Sequence, residues 1–100
     1  MHYSKQKQLV NESQRQELAA LYRKYAAWVR DGKKPYGYGE GKQNKYDNYH
    51  DCIYEIGEET DRFRFSIQTF DSPEGDWWWE GEFKFDNGML VVLKSESVKR

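Results

Sequence analysis

Trp77-Trp78-Trp79-Glu80-Gly81-Glu82-Phe83-Lys84-Phe85 is the stretch on which the fold turns. Read as a strand, it sends Trp77, Trp79, Gly81, Phe83 and Phe85 to one face and Trp78, Glu80, Glu82 and Lys84 to the other. The first set is a core face. The second leaves one indole, Trp78, among charged side chains. Either the sheet is covered on both sides, or that indole is offered to a partner.

Working outward, Asp86-Asn87-Gly88 is a tight hairpin, because Asn-Gly favours the turn that matches strand twist. A two-residue Asn87-Gly88 loop places Phe83 and Phe85 on the face of Leu90 and Val92. A three-residue loop with a bulge pairs them instead with Met89, Val91 and Leu93. Met89 to Lys94 is the last strand in this reading, and 95–100 is a polar tail. Upstream, Asp71-Ser72-Pro73-Glu74-Gly75-Asp76 is a turn. Arg62 to Phe70 alternates, with Phe63, Phe65, Ile67 and Thr69 facing one way. Cys52 to Ile56 is a short apolar strand, turned by residues 57–61.

Leu18, Leu21, Tyr22, Tyr25, Trp28 and Val29 recur at three- and four-residue spacing and form one apolar stripe. The spacing predicts a helix over 12–31, after a flexible N-terminal stretch 1–10. Asn11 or Ser13 caps its start, with Gln14 or Gln16 three residues on. Asp31-Gly32 ends it, with Pro35 soon after. Residues 32–50 have no periodicity and read as a long loop, in which Tyr36, Tyr38, Tyr46 and Tyr49 alternate with Gly, Asn and Lys as in adaptable binding loops. Short links between strands make them antiparallel neighbours. The expected fold is therefore a single α+β domain spanning 1–100: one N-terminal helix packed on an antiparallel four-stranded β-meander over 51–94.

Composition agrees with a folded domain of this size. Seventeen of the 100 residues are Phe, Tyr or Trp, an aromatic supply foreign to disordered chains. There is one cysteine, Cys52, so no intramolecular disulfide forms. No continuous apolar run reads as a signal peptide or a membrane span, so a soluble, cytoplasmic protein without membrane association is the expectation. Charge is uneven: residues 1–50 carry ten Lys/Arg against five Asp/Glu, and residues 51–100 carry six against twelve. Such asymmetry marks either an interaction surface or two halves that neutralise each other.

Few constellations carry chemistry. His50 and Cys52 share a face if the strand begins there, but zinc needs three or four ligands and the other histidine is His2. Glu80 and Glu82 are spaced as a carboxylate pair, yet so small a fold leaves little material for a cleft. Gly37-Tyr38-Gly39-Glu40-Gly41-Lys42 fails the phosphate-loop spacing and follows a helix where that motif requires a strand. No catalytic residue, metal site or cofactor is expected, and no motif identifies a family.

Binding is the remaining class. From 51 to 86, eleven acidic residues stand against Arg62, Arg64 and Lys84. Acidic groups interspersed with Trp78, Tyr54 and Phe70 suit a basic, nucleic-acid-handling partner, the charges steering encounter and a desolvated indole anchoring it. The alternative is that these charges only keep the sheet from aggregating. The leading expectation is a small non-enzymatic protein-binding module, an intracellular inhibitor or adaptor. Its class-level analogues are the compact anti-defence proteins that phages and mobile elements direct at nucleases. The contact residues are Trp78, Glu80 and Glu82, with Tyr36 and Tyr38 from the loop; a homodimer stays open. The second expectation is single-stranded nucleic-acid binding through the loop, with Lys42, Lys45 and Tyr46 as contacts.

Overall fold

The computed structural model describes residues 10–32, 45–56 and 61–100. The class is α+β, one helix on an antiparallel sheet, but the sheet has five strands in the order β1-β2-β3-β4-β5. Helix α1 (Glu12–Arg30) precedes β1 (Lys45–Asn48), β2 (Asp51–Glu55), β3 (Arg62–Phe70), β4 (Trp77–Asp86) and β5 (Met89–Lys99).

The helix begins at Asn11, whose Oδ1 accepts from the Gln14 backbone N–H at 2.7 Å while Gln14 Oε1 accepts from Asn11 N–H at 3.1 Å. This reciprocal capping box satisfies two donors that the first turn would otherwise leave open. At the other end, Gly32 takes φ +107° just beyond the Asp31 cap, where a Cβ would be strained.

The helix lies across the strands. Arg15 Nη1 donates to the Leu90 carbonyl of β5 at 3.2 Å. The Tyr22 ring meets Phe85 of β4 at 4.7 Å and Phe63 of β3 at 5.4 Å. Tyr25 meets Phe63 and donates its hydroxyl to Glu55 of β2 at 2.6 Å. Trp28 meets Tyr46 of β1 at 5.4 Å. From Arg15 to Trp28 the helix advances about 20 Å, and four strand intervals span about 19 Å. Each turn therefore steps on by roughly one strand. Leu18, Leu21 and Tyr25 are buried beneath it with Ile53, Phe63, Phe65, Ile67, Trp79 and Phe83, and Phe63 and Phe83 stack with centroids 5.1 Å apart.

Several expectations change. Residues 45–48 are not loop but an edge strand, held by pairing with β2. Residues 95–99 are not a tail: they continue β5 opposite Trp77 to Gly81. Backbone bonds in both directions between Asp76 and Arg100, at 2.9 and 2.8 Å, extend that ladder. The β4–β5 loop is the two-residue form, with Asp86 opposite Met89 and both Asn87 (φ +54°) and Gly88 (φ +81°) left-handed. Phe83 and Phe85 accordingly share their face with Leu90 and Val92.

A shift in register between Glu82 and Phe83 leaves Leu93 bulged and exposed, and sets Ser95 opposite Gly81. A Cβ on Gly81 would lie 2.0 Å from the Lys94 carbonyl oxygen. Glycine here is what allows β5 to draw in over β4. Trp77, expected in the core, is 40% exposed, whereas Trp79 is buried. A second register shift between Gln68 and Phe70 sets Trp77 against Phe70 at the sheet's end.

Candidate functional site

The sheet face away from the helix is ordered in rows by the strand register. The first row is Gln68, Trp78 and Val98, and the second is Asp47, Cys52, Ser66, Glu80 and Glu96. The third is Lys45, Tyr54, Arg64, Glu82 and Lys94, and the fourth is Arg62, Lys84 and Val91.

Trp78, Glu80 and Glu82 are thus neighbours on this face, as alternation predicts. All three are only part-exposed. Glu82 Oε2 accepts from Arg64 Nη1 at 2.8 Å and lies 3.4 Å from Lys94 Nζ. Glu80 accepts from Ser66 Oγ at 3.1 Å and is gripped by the Arg100 guanidinium. Burial pushes the Glu80 carboxyl upward, but the hydrogen bonds from Arg100 and Ser66 outweigh it and hold the group below its ordinary range. Both glutamates are therefore already neutralised by neighbours.

The acidic excess of residues 51–86 lies mostly elsewhere. Asp51 and Glu55 take alternate positions on the helix side, where Asp51 accepts from Gln68 N–H at 3.0 Å and Glu55 from Tyr25. Asp61, Asp71, Glu74, Asp76 and Asp86 sit at turns and strand ends. Glu58 and Glu59 lie outside the described residues, as do Tyr36, Tyr38 and Lys42. Lys45 is exposed at the start of β1. Tyr46 is a core residue against Trp28, so its ring is not presented for stacking on a base.

At the end of the sheet where β1 meets β2 and β3 meets β4, large aromatics come to the surface. Tyr49 is 92% exposed and Phe70 58%, beside Trp77. His50 bridges Tyr49 to Trp78, its ring 4.8 Å from the first and 6.4 Å from the second. Tyr49 and His50 form the whole link between Asn48 and Asp51, and Tyr49 takes φ +66°. That left-handed backbone is rare for a bulky side chain and costs on the order of 1–2 kcal/mol. The exposed carboxylates Asp71 and Glu74 lie in the β3–β4 turn beside the group, and the exposed Lys99 pairs with Trp77 on its other side.

Sequence reasoning placed Trp78 on the open face, Phe70 among the acidic surface and Tyr49 in a binding loop, but it put Trp77 in the core and did not bring Tyr49, Phe70 and Trp77 together at one end of the sheet. The signal available for Tyr49 was its place between two short pairing segments, which becomes visible only once Lys45–Asn48 is known to be a strand.

His50 is a turn residue turned to Tyr49 and Trp78, and burial pushes the Cys52 thiol up to about 11. It is fully protonated at neutral pH and a poor nucleophile. Among the described residues no three His, Cys, Asp or Glu side chains gather as metal ligands would. No described helix is long and apolar enough to cross a membrane. No family model, curated protein or solved structure matches the chain.

Proposed function

We propose that the protein is a small non-enzymatic protein-binding module, a cytoplasmic inhibitor or adaptor. It docks on a basic, nucleic-acid-handling protein such as a nuclease. The observation that carries this reading is Tyr49, a 92% exposed aromatic kept on a left-handed backbone at a hairpin tip. A ring left almost wholly in solvent, touching only its neighbour His50 among the described rings and held on a strained backbone, is retained for something outside the fold.

Phe70 and Trp77 extend the surface around the tip, and Trp78 closes it through His50. Aromatics of this kind supply large, rigid contact area at small entropic cost. Asp71 and Glu74 give the surface the charge to steer a basic partner. The acidic aromatic surface is thereby the end of the sheet rather than its open face. Glu80 lies one row below it, bound to Arg100.

The test is affinity capture from the source cells with the wild-type protein and a Tyr49→Ala, Trp77→Ala double variant, each partner then identified. One nucleic-acid enzyme captured by the first and lost with the second supports the reading. Equal capture by both overturns it, as does recovery of nucleic acid without protein. Capture of the chain's own copies alone converts it to a homodimer.

A further inference from the structure

The third and fourth rows of the open sheet face carry five bases, Lys45, Arg62, Arg64, Lys84 and Lys94, against one acid, Glu82. Arg64 and Lys94 share that one carboxylate. Lys45, Arg62 and Lys84 make no ion pair among the described residues. The second row has the opposite balance, with Asp47, Glu80 and Glu96. The face is therefore banded: its third and fourth rows are cationic, with Asp86 beyond them beside the Asn87-Gly88 turn.

Tyr54 sits inside this band, directly between Lys45 on β1 and Arg64 on β3. It is part-exposed, and its ring has no aromatic partner among the described residues. A lone ring on a flat sheet, in a band where Lys45, Arg62 and Lys84 have no ion pair among the described residues, is how sequence-tolerant single-strand binders work: a base stacks and phosphates meet the cations. An acidic peptide would satisfy the charges but has no flat π-face to place on Tyr54. Duplex DNA presents its bases inside grooves that a broad sheet face does not enter.

We propose that this band is a single-stranded nucleic-acid-binding site, with Lys45, Arg62, Arg64 and Lys84 on phosphates and Tyr54 under a base. The site shares none of its residues with the aromatic end. It replaces a loop-centred arrangement whose ring, Tyr46, is buried, and keeps only Lys45 from it.

The probe is a labelled oligonucleotide of about 20 nucleotides, as DNA and as RNA, followed by anisotropy between about 50 and 200 mM salt. Arg62→Gln with Lys84→Gln should weaken binding at least about tenfold at low salt. It should also flatten the slope of log K against log salt by roughly 1.4, at ~0.7 per phosphate on a single strand. Tyr54→Ala should weaken binding by about fivefold to a hundredfold and leave that slope unchanged. Glu82→Gln should tighten it, because two bases lose their internal partner. Circular dichroism confirms that each variant is folded.

The proposal is overturned if the wild type fails to bind at low salt, or if folded Arg62 and Tyr54 variants bind as it does. It is equally overturned if duplex of the same length, or vesicles of anionic phospholipid, bind more tightly than the single strand. Tyr49→Ala with Trp77→Ala should leave oligonucleotide binding intact, so the two surfaces fail or stand separately.

Discussion

The hairpins β1–β2 and β4–β5 are both closed by two residues, yet they use those residues in opposite ways. Asn87-Gly88 supplies the two residue types that accept left-handed backbone most readily, and it joins strands of ten and eleven residues. Tyr49-His50 joins strands of four and five residues, and puts a tyrosine where asparagine or glycine would rest without strain. The first turn is composed for folding. The second gives up local stability to hold a ring in solvent. Under the proposed function, one sheet separates the hairpin that secures the fold from the hairpin offered to a partner.

The comparison is broken most severely at Gly81. An alanine there meets the Lys94 carbonyl oxygen and the Ser95 backbone, which cannot move without parting β4 from β5. Gly81→Ala should cost about 3 kcal/mol in urea unfolding, whereas no single change in the Tyr49-His50 turn should approach that loss.

The next effect is alkaline. The unfolded Cys52 thiol ionises near 9.0, and burial holds the folded one to about 11. Between those values the folded state keeps a proton that the unfolded state has lost. Stability should therefore fall as pH rises from about 9 to 11, by about 2 kcal/mol. Unfolding titrations across that range should show this component vanish in Cys52→Ser.

Gly88→Ala comes third. Nothing lies within 4 Å of the added methyl and φ is +81°, so the cost is backbone strain alone, about 1 kcal/mol. Tyr49→Asn is the smallest and has the opposite sign. It should stabilise the protein by about 0.5–1 kcal/mol, read as a higher urea midpoint, while capture of the partner falls. A loss of stability in that variant would mean the Tyr49 ring works for the fold after all.

The parts of this fold that were legible in advance are those whose pattern is written in apolar residues. The helix stripe from Leu18 to Val29 and the alternation of Phe63, Phe65, Phe83 and Phe85 needed no tertiary information. Lys45-Tyr46-Asp47-Asn48 and Ser95-Glu96-Ser97-Val98-Lys99 carry no such pattern. They are strands because β2 and β4 have backbone edges to pair, a demand that resides in the neighbour. Trp77 was misplaced for a related reason: alternation assigns a face but does not say how far along that face the core extends.

The candidate surfaces were less legible still. Trp78, Glu80 and Glu82 were correctly grouped, but their charges are cancelled by Arg64, Lys94 and Arg100, which are 12 to 20 residues distant in the chain. Acid counts along a sequence could not show that the excess gathers at turns. Nor could they show that Tyr54 would stand between Lys45 and Arg64, since that depends on the register of three strands.

The transverse helix also sets an order of events. Its first turns rest on β5, where Arg15 meets Leu90, although the helix is complete by Arg30. At synthesis rates of about 5–20 residues per second, the intervening chain takes roughly 3–12 s to appear. During that interval the strands that meet Trp28, Tyr25 and Tyr22 appear in turn, and the strand under Arg15 appears last. The nascent helix is the segment on which a chaperone would act first, and stalling before β5 should leave a chain prone to aggregate by its earliest-formed element.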